Sequence, residues 1–170
     1  MAYRTKTYIA GDWDKDKVVI DQLHKWNDSK KYNLSFIDAH DLTQARDSSL
    51  NCSIKKSLKS RLDISKTFVL IVGEKTKSLR AGGCQLCPSY NSWNKFCTRR
   101  YSIDYRSYIE YECEIAKKDI NKIVVIYNSS KVDRTKCPDV LKYIGTHIPA
   151  YYYLDGQCYW NYQKIKDAIN

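Results

Sequence analysis

The stretch "TFVLIV", Thr67–Val72, is the most strand-like in the chain and is apolar almost throughout. A strand with one face in water alternates apolar and polar residues, whereas one covered on both faces does not. This stretch therefore reads as the central strand of a parallel sheet. Before it, Leu50, Ile54, Leu58 and Leu62 recur four apart, which predicts an amphipathic helix over Ser49–Leu62. Further upstream, "LSFID" (Leu34–Asp38) reads as a second strand, followed by the polar connection "AHDLTQARDSSLN". Val19, Ile20, Leu23 and Trp26 place a helix over Asp16–Asn27, and "KTYIA" (Lys6–Ala10) is the first strand. Downstream, Gly73–Tyr105 is a long region rich in Gly, Ser, Asn and Cys. A helix over Ser107–Lys118 and an apolar strand "KIVVIY" (Lys122–Tyr127) follow. Pro138–Ile144 reads as a short helix with Pro near its start. "AYYYL" (Ala150–Leu154) reads as a fifth strand and Tyr159–Ile169 as a closing helix.

Strands alternating with helices predict an α/β fold: a five-stranded, mainly parallel sheet with helices on both faces, in the flavodoxin-like order 2-1-3-4-5. The 170 residues suit one domain, 1–170, with a Cys-rich insertion at about 77–105. In such folds ligands bind beyond the carboxyl ends of the strands, where the strand order switches. That gathers Gly11, Asp12, Trp13, Asp38, His40 and the segment after Val72 around one crevice.

Hydrophobic residues at 43% and charged residues at 28% are those of an ordinary globular protein. The longest apolar run, around Phe68–Val72, is far too short to span a membrane. The N-terminus "MAYRTKTYIAGD" lacks the apolar core of a signal peptide, so a cytoplasmic protein without a membrane partner is expected. Seven cysteines cannot all pair within the chain, and in a reducing cytosol most are expected as free thiols. The net charge of +10 raises nucleic-acid binding. However, the basic residues are spread along the chain in short clusters such as "IKKSLKSR" (Ile54–Arg61), with no recognisable nucleic-acid motif. Nucleic acid is therefore disfavoured against solvated lysines and a phosphate-bearing small molecule.

Three glutamates stand at alternate positions in "SYIEYECEIAKK", Ser107–Lys118. On a helix, Glu110 and Glu114 project to one side, while Glu112 falls among Tyr108, Ile109, Ile115 and Ala116. Glu110 and Glu114 read as surface, with Glu114 and Lys118 forming an i,i+4 pair. Glu112 has two readings. It is a partly buried carboxylate paired with a lysine or capping a loop, or it is held in an apolar crevice to meet developing positive charge or a sugar hydroxyl. "AGDWDKD" is neither a Rossmann fingerprint nor a P-loop, which disfavours an NAD-dependent dehydrogenase or an NTPase. Asp12, Asp14 and Asp16 suggest a receiver-type magnesium site, but no phosphoacceptor aspartate follows the third strand.

In "CQLCPSYNSWNKFC", Cys84 and Cys87 form a CxxC, half of a zinc site. Cys97 would be a third ligand, and Cys137, His147 or Cys158 a fourth. The favoured reading is instead free cysteines in an ordered insertion packed by Tyr90, Trp93 and Phe96, with no metal. A redox CxxC fits poorly, because that motif belongs at a helix start after an early strand. His24 reads as a surface residue, His40 as a loop histidine within a ligand's reach, and His147 has no motif around it. The tyrosines of "AYYYL" read as a strand packed on both faces, ahead of a base-stacking platform.

The order of these pieces resembles the TIR-like domains of bacterial antiphage defence, of the ThsB type in Thoeris systems. The resemblance rests on "TYIAGDWDKD", on "LSFIDAHDL", and on "YIEYECEIAKKDINKIVVIY", an aromatic-x-x-x-Glu helix leading into an apolar strand. It covers Lys6 to about Tyr127. It implies a flavodoxin-like TIR fold that cleaves NAD+ between nicotinamide and ribose, with NAD+ as substrate and no bound cofactor. By the resemblance Glu112 is the catalytic residue, and Tyr108 stands where the family often has Trp, keeping an aromatic wall. Gly11, Asp12 and Trp13 match the lining of the dinucleotide site, and Asp38 the acid after the second strand. The resemblance further implies an ADP-ribose-derived signal, cyclic or conjugated, that activates a separate effector protein. It also implies a homo-oligomer or a phage-triggered assembly. The other class is a non-catalytic TIR interaction module in which Glu112 is structural.

Overall fold

The computed structural model describes residues 3–38 and 50–170. In chain order its elements are β1 (Lys6–Ala10), α1 (Lys17–Asp28), α2 (Asn51–Asp63), β2 (Ser65–Val72), β3 (Tyr90–Asn91), β4 (Phe96–Cys97), α3 (Tyr108–Asp119), β5 (Lys122–Tyr127), β6 (Thr146–Pro149), β7 (Tyr151–Leu154), β8 (Gln157–Trp160) and α4 (Tyr162–Ile169). The central sheet is parallel in the order β1-β2-β5-β6. β2 lies between β1 and β5, and its side chains divide between two cores. Phe68, Leu70 and Val72 join Tyr8, Ala10, Val125 and Tyr127 under Leu58 and Leu62 of α2 and Ile109, Cys113 and Ala116 of α3. Val69 and Ile71 join Ile9, Val124 and Ile126 under Val19, Ile20, Leu23 and Trp26 of α1 and Ile165 and Ile169 of α4. Helices on both faces are why "TFVLIV" shows no polar alternation.

Leu34–Asp38 is not a regular strand, but it keeps the expected place beside β1. The Thr7 N–H donates to the Ile37 carbonyl at 2.8 Å, and Thr7 pairs with Asp38 in an isolated parallel bridge. Leu34 and Phe36 bury on the α1 side. Counting this edge, the order is the flavodoxin-like 2-1-3-4-5.

The far edge differs from expectation. β6 occupies the fifth place, while "AYYYL" leaves the sheet. Its residues Tyr151–Leu154 pair antiparallel with Gln157–Trp160 across Asp155-Gly156, both at positive φ (50° and 77°). Asp-Gly with two positive φ values is the tight hairpin turn that suits strand twist. Tyr152, Tyr153 and Leu154 are exposed, so this is not a strand packed on both faces. The hairpin also takes Tyr159 and Trp160 out of the closing helix, which starts at Tyr162. Pro138–Ile144 yields only a 3₁₀ turn at Asp139–Leu141.

The insertion after β2 has little core of its own. From Cys84 to Arg106 no side chain is buried, and Trp93 is 93% exposed, so the expected aromatic packing around it is absent. Among the described residues, no helix is long and apolar enough to cross a membrane.

Candidate active site around Glu112

α3 starts where it does because Ser107 caps it. The Ser107 hydroxyl accepts from the Glu110 N–H at 3.1 Å, and the Glu110 carboxylate accepts from the Ser107 N–H at 2.7 Å. This reciprocal capping box satisfies two otherwise orphaned donors. Glu110 is therefore a cap rather than a free surface carboxylate. Glu114 is exposed, and its partner is Arg106 in place of the expected Lys118. The helix buries one stripe, Ile109, Glu112, Cys113 and Ala116, so the acid expected on the apolar face is there.

Glu112 is 5% exposed and accepts a hydrogen bond from the Tyr8 hydroxyl. Tyr8 is fully buried in the middle of β1 and stacks on Phe68 with ring centroids 5.7 Å apart. Its phenol is pushed well above the ordinary tyrosine range, first by burial and then by the charge of Glu112 and the hydrogen bond to it. Asp38 pushes in the same direction and Arg61 opposes both. Tyr8 thus stays protonated and remains a donor. Arg61 is itself buried, in the last turn of α2. Asp38 is buried and its carboxylate lies 3.0 Å from His24 Nε2. His24, expected on the surface, is held there and meets the Phe36 ring edge-on.

The sequence reading missed Tyr8, Arg61 and His24. The signals were positional. Tyr8 shares a strand face with Ala10, and Arg61 lies on the Leu58–Leu62 stripe inside a cluster read only as basic.

At the carboxyl ends of the strands, Gly11 packs closely: a Cβ there would lie 3.1 Å from Ile71 Cβ. Asp12 accepts from the Asp14 and Lys15 N–H groups at 3.1 and 3.3 Å and so holds its own turn. Trp13 is 40% exposed on the same loop. Asp16, just before α1, is buried beside Gly73, accepting from Asn128 Nδ2 at 2.9 Å, and burial raises its carboxyl above the ordinary range. Tyr108 is turned toward the insertion. Its hydroxyl donates to Asn51 Oδ1 at 3.0 Å and its N–H to the Ala81 carbonyl at 2.8 Å. Of the predicted site residues, Glu112 and Asp38 therefore share the surroundings of Tyr8. Gly11, Asp12 and Trp13 form the loop at the end of the same strand, and Tyr108 braces α2. His40 lies outside the described residues.

A groove of about 350 Å³ is lined by Lys77, Tyr105, Arg106, Glu110, Glu114 and Asp139 among others, but not by Glu112. Among the described residues no three His, Cys, Asp or Glu side chains stand at metal-binding spacing.

A parallel sheet in this order, with helices on both faces, is that of a flavodoxin-like α/β domain of the TIR-like kind. Residues 7–81 match the family model described as Thoeris protein ThsB, TIR-like domain. Over residues 7–81 the chain is thus similar to the TIR-like domain of the Thoeris ThsB type, which supports a role in antiphage defence. The match spans β1 to β2 and ends before α3, so Glu112 lies beyond it. No curated protein matches the chain.

Proposed function

We propose that the protein cleaves NAD+ at the nicotinamide–ribose bond, with Glu112 as the catalytic carboxylate. The observation that carries this reading is a carboxylate on an apolar helix face, 5% exposed and fixed by a neutral tyrosine. When the C1′–N bond breaks, its electron pair leaves with nicotinamide and positive charge develops on the ribose. A carboxylate in a low-dielectric position stabilises that charge far more than one in water. Tyr8 fixes the rotation of the carboxylate through its hydroxyl. Attack by water at C1′ gives ADP-ribose and a proton. Attack by a hydroxyl of the same molecule, or by another nucleophile, gives a cyclic or conjugated product. Such a product would act in the cytosol as a signal for a separate effector, with activity gated by self-association or by a phage-derived trigger.

The near-complete enclosure of Glu112 also favours a second reading, a structural carboxylate in a TIR interaction module. Glu112→Gln separates the two, because it removes charge at nearly constant volume. Nucleotides are measured by mass spectrometry in cells making either form, with and without phage. The enzyme reading expects a new ADP-ribose-derived species on infection, reduced by about 10²–10³-fold in the variant. Equal nucleotide profiles with protection retained in both would reject catalysis and leave the module.

A further inference from the structure

We infer that Cys52, Cys84, Cys87 and Cys97 form a structural zinc site that ties the insertion to the start of α2. All four cysteines, from three separate segments, line one cavity of about 20 Å³. That is room for roughly one water-sized group. The sequence spacing suggested a fourth ligand among Cys137, His147 and Cys158. The structure places those elsewhere: Cys137 is buried in the core, His147 is hydrogen-bonded to Tyr127, and Cys158 is exposed on β8. It brings Cys52, the second residue of α2, to the CxxC instead. Asn51 fixes this approach by donating from Nδ2 to the Gly83 carbonyl at 3.0 Å.

The backbone through the CxxC is a 3₁₀ turn over Cys84–Leu86. The Leu86 N–H donates to the Gly83 carbonyl at 3.0 Å, and the Cys87 N–H to the Cys84 carbonyl at 2.9 Å. The Asp104 N–H donates to Cys84 Sγ at 3.2 Å, the kind of outer contact that stabilises a ligating thiolate. The β3–β4 hairpin sets Cys97 opposite Tyr90, three residues after Cys87. Thiolate ligands in this number select zinc over the harder cations, and four protein ligands leave no open position for catalysis. The thiols do not stand at metal spacing as they are. Binding requires them to lose their protons and turn on χ1, so that each sulfur reaches about 2.3 Å from the ion.

Two independent features call for such a staple. From Cys84 to Arg106 no side chain is buried, yet the segment holds a hairpin and two non-glycine residues at positive φ, Lys95 (51°) and Arg100 (61°). A segment with this little apolar burial does not offset its ordering entropy alone. The charge also fits: Lys95, Arg99, Arg100 and Arg106 outnumber the single acid Asp104, and a zinc tetrathiolate carries a net double negative charge.

The test uses the full chain, purified reduced and with any metal-binding tag removed. Zinc is measured by elemental mass spectrometry, thiols by alkylation in denaturant, and ligand type by the absorption spectrum of the Co2+-substituted protein. The expected result is about one zinc per chain, with a sulfur-to-cobalt charge-transfer band and the four cysteines reduced. Cys52→Ser and Cys97→Ser are each expected to lower zinc content at least about tenfold, while Cys158→Ser leaves it unchanged. Should the serine variants fail to fold, the wild-type cobalt titration still decides. Wild-type protein that takes up neither Zn2+ nor Co2+ overturns the inference. So does alkylation showing these thiols paired as disulfides, or zinc content indifferent to Cys52→Ser in a folded variant.

Discussion

The Tyr8 hydroxyl joins β1 to α3 through a charge-assisted bond inside the core. Removing it by Tyr8→Phe keeps the ring on Phe68 but takes a donor from a buried carboxylate. The expected cost is about 1.5–3 kcal/mol, the range for hydrogen bonds to charged groups, read from urea midpoints. Because both residues act through one bond, Tyr8→Phe and Glu112→Gln are expected to be non-additive by about 0.5–3 kcal/mol in a double-mutant cycle. A coupling energy near zero would place the two side chains in separate roles. At this scale the sequence identified the anomaly, an acid on an apolar helical stripe, because helical periodicity is local. It could not identify Tyr8 or Arg61. Their relevance comes from contacts and fields across the sheet and between helices, at separations along the chain that no periodicity reports.

α3 carries the candidate catalytic side chain, and its first turn determines where that side chain points. Ser107→Ala removes the cap and is expected to cost about 1 kcal/mol, seen as a lower thermal midpoint. Adding Glu110→Ala should lower it further, since the backbone N–H at 107 still donates to the Glu110 carboxylate in the single variant. Just upstream, Gly82 has φ +101°, and a Cβ there would lie 2.6 Å from the Tyr108 ring. Gly82→Ala is expected to destabilise by more than about 1 kcal/mol, because the ring and backbone of Tyr108 cannot both retreat while its hydroxyl holds Asn51. The buried elements were the legible ones. β1 and β5 match their apolar runs residue for residue, and α1 buries the four residues its spacing marked. The misreadings lie where propensity and burial part. "AYYYL" has the residues of a core strand, yet the Asp155-Gly156 turn folds it into an exposed hairpin. The pairing of Cys52 with the CxxC depends on how α2 lies against the insertion, which spacing does not encode.

Across the whole molecule, charges tie the end of the insertion to both helices on its side of the sheet. Asp104 pairs with Arg106 at 2.9 Å and with Lys55 of α2 at 3.1 Å, while Arg106 also binds Glu114 of α3. Lys55 is buried, and its ammonium donates to the Arg106 carbonyl at 2.7 Å. Burial pushes the Asp104 carboxyl up, but hydrogen bonds from Arg106 and the charge and bond of Lys55 outweigh it. They hold it at about 2, below the ordinary 3.8. A carboxylate depressed in the folded state binds protons more weakly there than in the unfolded chain. Its stabilisation is therefore fully present above the unfolded value and is lost as pH falls from about 4 to about 2. Asp104 is expected to contribute at most about 2 kcal/mol to the loss over that window, reduced by solvent screening at this partly exposed pair. Asp104→Asn should start lower at neutral pH, because Lys55 is left buried without its anion. It should then lose correspondingly less stability through the acid window. Protonation of the cysteines, or loss of a metal they hold, would act on both proteins, so the difference between the two curves isolates Asp104. Urea titrations at matched pH give that difference. If the curves stay parallel down to about pH 2, this network does not hold the insertion against the helices, and the Asn51 and Tyr108 hydrogen bonds and the cysteine cluster do so instead.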